Sequence, residues 1–217
     1  MNLKKDRYKE TIEVYGKLGE KYIQDVAGVT PYGFNEFVET LPKNALVLDV
    51  GCAGGRDSKK FIERGFKVTG IDLVDEFLEH AKKDVPEADF YKMDLLKLEF
   101  PQNCFDAIWA CAVLLHIKKK DIPKALAEFH KILKPRGKVC IAVKEGKGVE
   151  YKTDKLSGGQ KRMFTYFSEN ELRKFLEKSG FKISFTKIFS DPLGRQDIKW
   201  LVVIAKNDTM KSGGSLK

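Results

Sequence analysis

Residues 47–58 read VLDVGCAGGRDS: an apolar run, an acid at Asp49, three glycines at Gly51, Gly54 and Gly55, and polar residues that open a helix. In an open parallel sheet, ligands bind beyond the carboxyl ends of the strands, where a turn with few side chains lets backbone N–H groups approach them. A dinucleotide turn needs G-x-G-x-x-G, whereas these glycines fall as G-x-x-G-G. The spacing disfavours pyrophosphate, and NAD with it.

The surrounding sequence alternates short aliphatic runs with amphipathic stretches, the pattern of a mostly parallel sheet covered by helices on both faces. It predicts strands at 46–50, 67–72, 88–93, 104–110 and 137–144, with helices at 57–64, 75–83 and 121–133. Gly65 and Gly137 are expected as left-handed residues just past helix ends. Ser168 and Glu171 form a capping box for a helix ending before Gly180. Phe181–Phe189 and Ile198–Val203 then follow with no room for a crossover helix, so they pair as an antiparallel hairpin. Upstream, Tyr8, Ile12, Tyr15, Tyr22 and Val26 share one helical face, and Thr30-Pro31 reads as the cap of a short second helix carrying Phe34, Phe37, Val38 and Leu41. The expected organisation is a helical cap at 1–45 packed on a domain at 46–206, with a frayed, aperiodic tail at 207–217.

With 217 residues, 42% hydrophobic and 33% charged, the chain is in the globular range. Its longest apolar run, Ala107 to Leu115, is nine residues, about half of what a bilayer-spanning helix needs, and MNLKKDRYKE has no signal-peptide character. A soluble cytoplasmic protein without membrane association is expected. Cys52, Cys104, Cys111 and Cys140 make no metal-ligand spacing, so buried thiols and no metal are expected. The net charge of +9 is uneven, with 16 Lys and Arg against 9 Asp and Glu from residue 144 onward. That basic third serves either to steer an anion or as a solvated surface.

The VLDVGCAGGRDS turn resembles the first motif of class I S-adenosylmethionine-dependent methyltransferases, an acid two residues before G-x-G-x-G, with Ala53 in place of the middle glycine. The likeness continues through KVTGID, YKMDLLKLEF, FDAIWACAVLLHI and ILKPRGKVCIAV, covering about 46–143 in unbroken order. It implies a Rossmann-like, seven-stranded α/β fold and S-adenosyl-L-methionine as cofactor. By the same resemblance Gly51, Cys52, Ala53 and Gly55 would meet the methionine moiety, and Asp49 and the Ala110 carbonyl would hold its ammonium. Asp72 would accept the ribose hydroxyls, Leu73 would pack on adenine, and Asp94, with Met93 and Leu95 beside it, would receive the adenine amine. Tyr15 and Tyr22 resemble aromatics that cover the cofactor. Asp72 as a helix cap, Asp94 as a turn former and the tyrosine stripe as plain packing remain open.

Methyl transfer from a sulfonium is an in-line displacement activated by the cofactor, so the protein mainly aligns the acceptor and excludes water. His116, just past the fourth strand, is the candidate catalytic base and acceptor contact, with a structural histidine as the alternative. His80 and His130 read as surface residues. The segment 144–167 reads as a long loop in which Arg162 and Tyr166 are candidate acceptor contacts. A small-molecule N or O nucleophile is the first expectation, ahead of C or S. A tRNA-modifying methyltransferase is the alternative, since KRMFTYFSENEL loosely resembles wobble-uridine enzymes. A non-catalytic cofactor-binding partner subunit is the third. The sequence leaves the oligomeric state open.

Overall fold

The aliphatic runs flanking the glycine turn become the centre of a sheet. The computed structural model describes residues 6–208. β1 (Leu46–Val50), β2 (Lys67–Asp72), β3 (Asp89–Lys92), β4 (Phe105–Cys111) and β5 (Leu133–Lys144) are parallel. β8 (Phe181–Ser190) and β9 (Lys199–Asn207) close the sheet antiparallel, in the order β3-β2-β1-β4-β5-β9-β8. The helices are α1 (Arg7–Val26), α2 (Phe34–Val38), α3 (Arg56–Glu63), α4 (Asp75–Asp84), α5 (Ile122–Ile132) and α6 (Glu169–Lys178). Because parallel crossovers are right-handed, the connections running outward from β1 to β3 cover one face, and the one from β4 to β5 covers the other. The strand order reverses between β1 and β4, which opens a crevice at their carboxyl ends.

The sheet centre is dry, with β1, β4, β5 and β9 carrying almost continuous buried aliphatics. Trp109 of β4 is fully buried among Phe34, Phe37 and Phe61, with ring centroids 5.6–5.8 Å away. Its indole Nε1 donates to Asp57 Oδ2 at 2.8 Å, fixing the first turn of α3 against the sheet.

Four expectations need correction. The segment 144–167 is not a plain loop, because β6 (Val149–Lys152) and β7 (Arg162–Thr165) pair in it as an antiparallel ribbon. The ribbon is pinned from both sides: the Met163 N–H donates to Thr11 Oγ1 of α1, and Thr165 Oγ1 donates to the Ile117 carbonyl. Thr30-Pro31 does not cap α2, which starts after a left-handed Gly33 with no side-chain cap. The left-handed residue before β5 is Arg136 rather than Gly137. Asn207, expected in the tail, belongs to β9, and the tail from 209 onward lies outside the described residues. The Ser168 hydroxyl, as its motif implies, accepts from the Glu171 N–H at 3.3 Å. Among the described residues no helix is long and apolar enough to cross a membrane.

Candidate functional site

The crevice at the strand reversal holds a cavity of about 500 Å³. Its floor is the turn after β1, and α1 supplies part of its wall through Tyr8, Thr11, Tyr15, Tyr22 and Ile23. Side chains are excluded from the turn by contact. A Cβ on Gly51, whose φ is 71°, would stand 2.7 Å from the Val113 side chain, and one on Gly54 would stand 2.8 Å from Ile23.

Ala53 adopts φ 46°, a left-handed conformation that strains a residue bearing a Cβ. Its N–H donates to Asp72 Oδ2 at 3.0 Å, so the strain is held in place by the acid at the end of β2. Ala53→Gly is expected to raise stability by about 0.5–1 kcal/mol, less than the full left-handed penalty because glycine gains freedom in the unfolded chain. Urea denaturation of the two proteins reads this directly, and a less stable glycine variant contradicts the assigned strain.

Asp72 is tied to backbone on both sides. Its Oδ1 accepts from the Leu73 and Val74 N–H groups at 2.7 and 3.0 Å, so one carboxylate joins the glycine turn to the start of α4. Burial pushes its carboxyl above the ordinary range, opposed by these three N–H donors. Asp49 is 2% exposed and accepts from Ser58 Oγ at 2.7 Å. Burial, and next the neighbouring Asp57 carboxylate, push its carboxyl up to about 8.

His116 is held from both ring nitrogens. Nδ1 lies 2.8 Å from the Met163 carbonyl, an acceptor, so Nδ1 carries the proton and Nε2 accepts the Tyr15 hydroxyl at 2.8 Å. Burial, followed by the charges of Arg162 and Lys144, pushes the imidazole down to about 3, which keeps it neutral. Tyr15 meets Tyr22 edge-on at 5.0 Å, and Tyr22 stacks on Phe77 of α4.

The cavity brings together Tyr15, Tyr22, Asp49, Gly51, Cys52, Ala53, Asp72, Leu73, Met93, Leu95 and His116. Gly55, Asp94 and Ala110 are not on its wall. Gly55 backs onto α4, where an added Cβ would meet Ala81 at 3.2 Å. Asp94 accepts from the Tyr8 hydroxyl and the Leu96 N–H. β4 runs through Ala110 to Cys111, and Cys111, Ala112 and Val113 form the wall in its place. Arg162 lines a smaller neighbouring cavity, whereas Tyr166 donates its hydroxyl to Glu150 Oε2. His80, expected at the surface, lines the cavity, with Nδ1 3.2 Å from the Gly54 carbonyl. Its place three residues after Phe77 was the available signal, since both then face the turn. Arg56, Phe77 and Val113 were also missed as wall residues.

The family model for a methyltransferase domain matches residues 47–137. Phosphoethanolamine N-methyltransferase 3 of Arabidopsis thaliana is 36% identical over 128 residues, which is 57% of this chain and 26% of that protein. Demethylmenaquinone methyltransferase of Renibacterium salmoninarum is 33% identical over 96 residues, 44% of this chain and 40% of that protein. The chain thus spans less than half the length of these curated relatives. The fold matches the Burkholderia thailandensis 1,6-didemethyltoxoflavin-N1-methyltransferase, solved with its substrate and S-adenosylhomocysteine, at a TM-score of 0.70 and 23% identity, over 93% of this chain and 90% of that one. With its glycine turn, its sheet order and these matches, the chain has the fold of the class I S-adenosylmethionine-dependent methyltransferases and carries a methyltransferase-domain match over residues 47–137.

Proposed function

We propose that the protein transfers a methyl group from S-adenosylmethionine to an N or O nucleophile of a small molecule. The observation that carries the reading is the cavity, whose floor is a glycine turn between two acids, the buried Asp49 and the half-buried Asp72, and whose wall is partly aromatic. A cationic, nucleoside-bearing cofactor fits this donor set. Asp49 offers a carboxylate to an ammonium, Asp72 retains an acceptor site beyond its three backbone bonds, and Gly51 and Gly54 let the Val113 and Ile23 side chains close against the turn. When bound, the cofactor supplies the electrophilic methyl group. Relatives and structural neighbours named for small acceptors support the substrate class.

The chain's own part is alignment and exclusion of water. Tyr15 and Tyr22 hold an apolar wall over the turn, and His116 fixes the direction of the Tyr15 hydroxyl. A neutral imidazole with such a low proton affinity does not retain a proton near neutrality, so His116 is proposed as a positioning residue rather than a free general base. The pH profile of kcat/KM is then expected to lack an inflection between about pH 5 and 7, where an unperturbed histidine titrates. An inflection that disappears in His116→Asn returns the histidine to the role of base.

The function is tested by titrating S-adenosylmethionine, S-adenosylhomocysteine and NAD calorimetrically, then searching small-molecule and RNA fractions of cell extract for methylated products. Binding of the first two and not NAD, with a methylated small molecule, is the expected result. Binding of tRNA is expected to be weaker than roughly 10 μM at physiological salt, the non-specific range. Tight tRNA binding that survives added salt would favour the RNA substrate. Cofactor binding with no methylated product would favour a non-catalytic partner subunit.

A further inference from the structure

Tyr15, Tyr22 and His116 also line a second cavity, of about 40 Å³, whose other wall carries Lys144, Arg162, Arg195 and Asp154. These charges come from separate elements: the end of β5, the start of β7, the β8–β9 connection and the β6–β7 connection.

The cluster has more positive than negative charge. Asp154 serves all three cations, at 2.5 Å from Arg162, 3.6 Å from Lys144 and 3.8 Å from Arg195. Asp191 is committed to Arg195, which it meets at 2.7 Å, and to the Trp200 indole. Among the described residues, three cations against two carboxylates leave one positive charge without a counterion. The orphaned donors are buried as well. Lys144 is 3% exposed and Arg162 1%, yet among the described residues Lys144 Nζ and Arg162 Nε have no hydrogen-bond acceptor. The Phe164 ring 3.6 Å from Lys144 Nζ offsets part of the ammonium's desolvation but gives its donors no oxygen. A buried, unsatisfied cation is costly, so this arrangement serves folding poorly and an anionic ligand well.

The geometry points to an anion subsite for the methyl acceptor, in which Lys144 Nζ and Arg162 Nε bind a compact carboxylate or phosphate group while the rest of the molecule extends past Tyr15 and Tyr22 to the cofactor cavity. This inference rests on the methyl-transfer reading, because the subsite adjoins the cofactor cavity across the Tyr15, Tyr22 and His116 side chains that line both.

Benzoate, phenyl phosphate and uncharged benzamide, titrated into protein saturated with S-adenosylhomocysteine, test it. At least one anion is expected to bind, with benzamide much weaker, and the tighter anion identifies the group as carboxylate or phosphate. Lys144→Met, which keeps the volume and removes the charge, is expected to weaken the anion about tenfold or more and to leave S-adenosylhomocysteine affinity within about twofold. Equal binding of benzamide, an unchanged anion affinity in the variant, or no anion binding overturns the subsite. Failure of S-adenosylhomocysteine to bind overturns the cofactor reading instead.

The wild-type protein gives a second readout that needs no variant. Burial pushes the Lys144 ammonium down to about 8 against the pull of Asp154, with Arg195, Arg162 and Lys152 adding to the depression. The arginines remain charged, Asp154 remains ionised, Lys152 is held charged by Glu150, and His116 and Tyr15 remain neutral across this range. Benzoate affinity is therefore expected to fall as pH rises through about 8, and a flat profile from about 7 to 9 overturns the role of Lys144.

Discussion

Asp72→Ala is expected to weaken S-adenosylhomocysteine binding by about 10- to 150-fold, the 1.5–3 kcal/mol range of hydrogen bonds with a charged partner. Two effects add in one direction. The carboxylate is the proposed ribose acceptor, and it also holds the Ala53, Leu73 and Val74 N–H groups that shape the cavity floor. Near-UV circular dichroism should remain native, because the residue sits at a strand end, outside the Trp109 core. The melting temperature should fall, because three backbone donors lose their acceptor. Calorimetry decides, and unchanged affinity would mean the ribose is held elsewhere.

Cofactor binding is expected to release a proton below about pH 8, with affinity rising up to tenfold per pH unit until the effect levels off. The cause is Asp49, whose carboxyl is pushed up to about 8 by burial and by Asp57. The sign follows from which state holds the proton. Between an ordinary aspartate value near 4 and 8, folded Asp49 retains a proton that the unfolded chain has lost. Its contribution to the stability of the ligand-free protein is therefore greatest at acid pH and declines up to about 8. An ammonium placed beside it favours the ionised form, so binding expels the proton. Binding enthalpies in buffers of different ionisation enthalpy measure the release, and Asp49→Asn should abolish it. If wild type and variant show the same buffer dependence, the ammonium does not sit at Asp49.

The half of the fold that holds the glycine turn was legible because its signals are local. Leu46–Val50 alternates with α3 and β2 through residue types with strong preferences, and the acids fall at strand ends where the turns need them. The β6–β7 ribbon was not legible. Arg162 is a buried charge at the start of a strand of only four residues, which breaks the alternation by which strands are recognised, and its partner strand carries Glu150 and Lys152. The site shows the same divide. Asp49, Asp72 and the glycines follow from their places on the turn, but the contact between Tyr15 and His116 spans 101 residues and exists only once α1 is docked. Ala110 was placed too early because β4 continues one residue further, and the wall forms at the left-handed Ala112 beyond it.

The position of β9 sets the order in which the sheet can be completed during synthesis. β1 to β5 are contiguous parallel pairs, each new strand joining one already made. β8 has no such partner, since the slot between it and β5 is filled by the strand that leaves the ribosome after both. Until Lys199–Asn207 emerges, the aliphatic edge of β5 is open and β8 is unpaired, a window in which edge-to-edge association with other nascent chains is favoured. A stalled or truncated product ending before Lys199 would retain the glycine turn but carry that open edge, and it should partition into the insoluble fraction.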